Sequence, residues 1–130
     1  MKMAGYHANI EKKTEQNEYF REVLFTGPHS QLVVMALKPG EDIGLETHPD
    51  VDQFIRVEGG VGKAIIDDQE YDLEDGSAVV ILAGSEHNVL NTSSTEALKL
   101  YTIYTPPEHP DGTIHKDKAE AEAYEKEHHH

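Results

Sequence analysis

Cysteine is absent from the 130 residues, which removes disulfides, thiolate zinc sites and cysteine nucleophiles at once. A chain without thiols is compatible with a reducing compartment, and a cytoplasmic protein is expected. Basic residues are scarce: 11 Lys and Arg stand against 25 Asp and Glu, a formal charge of −14. Repulsion on that scale opposes nucleic acid and anionic membrane as partners and mainly favours solubility. No apolar run approaches a membrane-spanning length, and the opening MKMAGYHANIEKK has no apolar stretch of the kind an export signal needs. The length is that of one domain, placed at residues 1–127, able to bury roughly two thirds of the surface its unfolded chain exposes. His128, His129 and His130 follow EKE and read as a purification-tag remnant, leaving six histidines for function.

Between about residues 19 and 105 the chain alternates short β-rich runs with turn residues, the pattern of an all-β sandwich or barrel. Strands are predicted at EYFREVLFT, QLVVMALKP, GLETH, DQFIRVEG, GKAIID, QEYDL, SAVVIL, HNVLNT and ALKLYTIYT. Turns such as DDQE, EDG and AGSE separate several of them. Residues 106–127 form a tail: TPPEHPDG is irregular, and HKDKAEAEAYEKE is rich enough in helix formers for a short polar helix. Two runs, LVVMAL and AVVIL, are apolar on both strand parities, so their second faces need a cover. A partner subunit in a two-fold dimer is the expected cover, with the tail or the N-terminal segment as the alternative.

The stretch ETHPDVDQF concentrates metal-capable side chains. Strand alternation puts Glu46 and His48 on one face with Thr47 opposite, the arrangement chelation needs. Pro49 holds His48 extended, PDVD turns the chain, and Gln53 begins the returning strand, placed to face back across the hairpin. His87 follows the AGSE turn at the head of another strand and supplies a fourth donor.

These residues fall in a pattern that resembles the two cupin motifs. G-x5-E-T-H-x4-Q-x6-G runs from Gly40 to Gly60, with Glu46 where cupins usually have the first histidine and Gln53 where they usually have glutamate. G-x5-L-A-G-x2-H-x3-N runs from Gly76 through Gly84 and His87 to Asn91, with Leu82 where proline is common. The resemblance spans about residues 32–104, and the tail looks like that of small single-domain bacterial cupins, some labelled mannose-6-phosphate isomerase-like. It implies a jelly-roll barrel, the cupin double-stranded β-helix, with a divalent transition metal near its open end, held by Glu46, His48, Gln53 and His87. One anionic and three neutral donors suit manganese, iron, cobalt, nickel or zinc and leave two positions free on a six-coordinate ion.

The expected function is binding or transformation of a small, neutral or weakly anionic, oxygen-bearing molecule at that metal, with Glu46 also a possible proton acceptor. A non-catalytic sensing module and a structural dimer with a degenerate site are the alternatives. Tyr104 shares a strand face with Leu98 and Leu100 and is a candidate for orienting a ligand. Asn91 is expected to hydrogen-bond at a strand end, and His109 and His115 to be surface residues of the tail. Efficient phosphomannose isomerisation is not expected. Alternation turns Arg56 and Lys99 away from a cavity faced by Gln53, Leu98 and Leu100, Lys63 is the least certain exclusion, and the surrounding field is acidic.

Overall fold

A computed structural model describes residues 4–128. Its elements run α1 (Ile10–Gln16), β1 (Arg21–Thr26), β2 (Gln31–Leu37), β3 (Glu46–Thr47), β4 (Asp52–Gly59), β5 (Gly62–Ile66), β6 (Gln69–Leu73), β7 (Ala78–Ile81), β8 (Glu86–Asn91), β9 (Leu98–Thr105), β10 (Ile114–His115) and α2 (Lys118–His128). The strands form two antiparallel sheets, ordered β10-β1-β2-β9-β4-β7 and β3-β8-β5-β6, closed on each other as a jelly-roll barrel. Of the suspected tag, His128 ends α2, while His129 and His130 lie outside the described residues. Among those residues no helix is long and apolar enough to cross a membrane.

Alternation builds the interior. In β9 the inward set is Leu98, Leu100, Thr102 and Tyr104, and in the neighbouring β4 it is Gln53, Ile55 and Val57. Ile55, Val57, Leu98 and Leu100 are fully buried, each contributing about 1.5–3 kcal/mol by leaving water. The apolar members of these strands fill the middle of the barrel, and the polar ones, Gln53, Thr102 and Tyr104, follow at one end. Asn91 closes a strand end as expected. Its side-chain N–H groups donate to the carbonyls of Leu37 at 3.0 Å and Glu96 at 2.8 Å, and its oxygen accepts from the Ser93 N–H.

The second face of LVVMAL is covered within the chain. Helix α1 packs on β9, β2 and β4, with Thr14 buried beneath it, and Val34 and Ala36 are buried on that face. The partner subunit expected there is replaced by the N-terminal helix. The sequence reading assigned no helix to IEKKTEQ, because it carries no apolar stripe. Local bonds hold it instead: the Asn9 side chain accepts from the Lys12 N–H, and the Lys99 ammonium donates to the Asn17 carbonyl just past its end. The other run, AVVIL, stays half uncovered. Ile81 is buried, but Val80 and Leu82 are 59% and 63% exposed, beside Tyr71 of β6, where the free edges β6 and β7 meet.

The tail closes the opposite seam, between β1 and β3. Strand β10 pairs with β1, placing His115 opposite Arg21, and α2 follows with Ala121 buried and Lys118 ion-paired to Asp42. Buried Gln31 fixes the irregular part: its amide donates to the His109 carbonyl at 2.7 Å, and its oxygen accepts from the N–H groups of Glu108 and His109.

Candidate metal centre

Pairing β3 with β8 sets Glu46 directly across from His87, and His48 follows one residue beyond β3. The two motif turns are joined there. The Gly84 N–H donates to the His48 carbonyl at 2.9 Å, and the Ala83 N–H donates to the Asp52 carboxylate at 2.8 Å. Glu46, His48 and His87 each offer a ligand atom, all within 4.8 Å of one another. His48 Nε2 lies 3.9 Å from Glu46 Oε1, too long for a hydrogen bond. Two donors each about 2.1 Å from one ion lie at most about 4.2 Å apart, so this spacing suits a shared cation, and the widest pair needs only a small side-chain adjustment.

The hydrogen-bond pattern makes the same point independently. Buried polar atoms are nearly always paired, yet His48 Nε2, His87 Nε2 and Gln53 Oε1 are buried without a partner. In each case the other polar end of the side chain is engaged. His87 Nδ1 donates to the Ser85 carbonyl, His48 Nδ1 faces the Glu108 carboxylate at 3.3 Å, and Gln53 Nε2 donates to the Thr102 hydroxyl at 3.1 Å. These contacts leave the lone pairs of both rings and of the amide oxygen unused, as a cation requires. Gln53 lies on the inward face of β4 in register with Tyr104, whose ring meets that of His48 edge-on at 6.1 Å.

Charge at the centre is finely balanced. Burial pushes the Glu46 carboxyl above the usual carboxylate range, against the opposing pull of His48, Arg21 and His87. The hydrogen bond to Glu108 raises His48, against the opposing effect of burial. Burial raises the Tyr104 phenol far above its ordinary range, so it acts as a neutral hydroxyl. His109 is pushed down to about 3, chiefly by burial and then by Arg21, so its ring stays neutral against Tyr104 at 5.1 Å.

Two expectations are corrected here. His115 is buried beside Arg21, and His109 is half-buried with its ring edge-on to Tyr104. The reason is the clamp of Gln31 and the β10 pairing, neither visible in a segment without periodicity. A basic side chain not weighed in the sequence also borders the site. Arg56, Lys99 and Lys63 are indeed engaged elsewhere, with Glu58, Asn17 and Glu70. Arg21, however, is only 4% exposed and lines a cavity of about 570 Å³ together with Glu46, under α2. The signal was available in β1, where Arg21 shares the buried parity of Val23. Glu108 had no such signal.

Because Glu108 fixes the tautomer and orientation of a ligand-type histidine, Glu108→Gln is expected to weaken metal affinity about 10- to 100-fold with little change in fold. Competition against a chromophoric chelator measures it. Unchanged affinity would assign Glu108 to the tail's surface chemistry alone.

A jelly-roll barrel with a Glu/His/His group at its mouth defines a small β-barrel protein with a possible metal site. The chain belongs to the cupin family: the family model described as Cupin domain matches residues 33–104. YrkC of Bacillus subtilis is 50% identical over 123 residues, covering 90% of this chain and 66% of YrkC. Protein L612 of Acanthamoeba polyphaga mimivirus is 48% identical over 112 residues, covering 84% of this chain and 70% of L612. The chain thus spans about two thirds of the length of these relatives. The crystal structure of BH2720 from Bacillus halodurans is similar at 46% identity and a TM-score of 0.89, covering 91% of this chain and 93% of that one.

Proposed function

We propose that this cupin holds a divalent transition metal through Glu46, His48, Gln53 and His87, and binds or transforms a small oxygen-bearing molecule there. The observation that carries the reading is the set of three buried, unpartnered lone-pair atoms beside an acidic side chain. One carboxylate and two imidazoles with an amide oxygen suit manganese, iron, cobalt, nickel or zinc. A bound ion supplies Lewis acidity toward a ligand oxygen. The chain's own residues do the rest. Tyr104 offers a neutral hydroxyl, Glu108 contacts His48 Nδ1, and Glu46 would accept a proton when its bond to the metal loosens. Elemental analysis of protein lacking the terminal histidines tests the reading. About one equivalent of transition metal per chain is expected, either retained or regained on addition of Mn(II), Co(II) or Zn(II). Protein that neither retains nor rebinds metal would sink it.

The reading includes a homodimer through the β6 and β7 edges. Tyr71, Val80 and Leu82, all exposed, border a recess of about 350 Å³, and a second copy would cover both free edges. Light scattering should give twice the chain mass, falling to one chain mass in Val80→Glu plus Leu82→Glu. A wild-type monomer at micromolar concentration would refute the assembly.

A further inference from the structure

Burying a charge is costly unless it is paired. Arg21, in β1 at the barrel mouth, is buried, and no carboxylate oxygen lies within 4.0 Å of its guanidinium among the described residues. One nitrogen, Nη1, meets Nδ1 of His115 at 3.2 Å, and Nε is buried with no partner. The Phe20 ring, 5.3 Å from the guanidinium carbon, offers only weak compensation. Holding His115 in place requires one neutral donor, so that role does not explain a full positive charge with an unused N–H. Glu46 borders the same 570 Å³ cavity, but on the reading above its charge is committed to a metal ion. Of the α2 residues that line the cavity, Lys118 is paired to Asp42, so Glu122 and Glu125 stand against Lys126 and Arg21, with neither carboxylate within 4.0 Å of the guanidinium.

We infer that Arg21 is a carboxylate-binding residue and that the small molecule received at the barrel mouth is a monocarboxylate. The guanidinium fork matches a carboxylate in two parallel hydrogen bonds. A hydroxyl or keto oxygen near that carboxylate would then be directed toward the Glu46, His48 and His87 group, so the ligand class is small hydroxy and oxo acids. Both halves rest on the metal reading, which draws the charge of Glu46 away from Arg21. A monoanion also fits an acidic protein better than a phosphate dianion.

The test uses untagged protein loaded with Co(II), titrated with lactate and pyruvate and, separately, with lactamide and pyruvamide, which lack the anionic charge. The two acids should perturb the cobalt absorption at least ten-fold more tightly than their amides. In Arg21→Gln the metal should remain while acid binding weakens at least ten-fold and amide binding does not change, and Arg21→Lys should restore only part of the loss. Equal binding of acids and amides by the wild type would overturn the inference, as would no binding of any of them up to 100-fold above millimolar, or undiminished acid binding in Arg21→Gln with cobalt bound. Should Arg21→Gln fail to fold, Arg21→Lys decides, and acid binding as tight as in the wild type with cobalt bound would overturn the inference. Should the wild type take up no cobalt, the metal reading fails and the inference with it, whereas cobalt uptake without a preference for the acids overturns the inference alone.

Discussion

His48→Ala and His87→Ala are each expected to reduce bound metal from about one equivalent to a trace, the largest functional loss open to a single substitution here. Both rings contribute an Nε2 that the fold buries and leaves unpaired, so each removes a donor that nothing nearby replaces. Glu46→Ala removes the anionic donor and should be comparably damaging. Gln53→Ala removes a neutral oxygen and should leave a weaker, exchangeable site. Stability should move differently. Without metal, removing the buried unsatisfied nitrogen, worth about 1–3 kcal/mol, offsets in part the cavity and the lost Nδ1 contact, so each histidine variant should lie within about 2 kcal/mol of metal-free wild type. Metal addition should raise the melting temperature of the wild type, raise that of Gln53→Ala less, and leave those of the two histidine variants unchanged. Elemental analysis and thermal denaturation, with and without chelator, check both halves. Wild-type metal content in the two histidine variants would end the assignment.

Gly60→Ala should produce the largest loss of stability. A Cβ there would stand 2.3 Å from the Ala97 carbonyl oxygen and 3.0 Å from the Leu98 Cα, and the residue sits at φ +87°. Both obstacles are backbone, at the bulge where β4 meets the start of β9, so no side chain can give way. Left-handed strain of about 1–2 kcal/mol and backbone displacement together should cost about 3–5 kcal/mol. That corresponds to a fall in melting temperature of roughly 10–20 °C for a chain of this size. Gly40 is the control. It occupies the third position of a Lys38–Glu41 turn at φ +79°, with nothing within 4 Å of an added Cβ, so Gly40→Ala should cost only the left-handed strain. Denaturation in urea separates the two, and a Gly60→Ala cost within 1 kcal/mol of Gly40→Ala would show that the β4–β9 junction relaxes freely.

The two glycines open and close one motif for unrelated reasons, which illustrates what the sequence makes legible. Position in the motif is readable, but the backbone that approaches Gly60 comes from 37 residues further on, as the contact with Ala97 shows. Strands with period-two burial were readable for the same reason that Glu46 and His48 could be placed on one face, because alternation is local. Helix α1 was not readable, since its seven residues bury only Thr14 and its role is set by the sheet beneath it. Glu108 and His109 were not readable either. Their positions depend on Gln31, whose side chain reaches across 77 and 78 residues of sequence to hold them. Arg21 lay between these cases: its parity was readable, but its missing counter-charge was not.

The matched cupin segment, residues 33–104, contains every proposed metal donor and Tyr104, whereas Arg21, Glu108, His109 and His115 all lie outside it. The chain therefore divides its labour along its length. The middle supplies the Glu46, His48 and His87 group, and the two flanks fold back over the rim. On the proposed metal reading, changes in the flanks would alter what reaches an ion without touching its donors. A grafting experiment would exploit that separation by exchanging residues 1–30 and 106–127 together, because Arg21 and His115 make sense only as a pair.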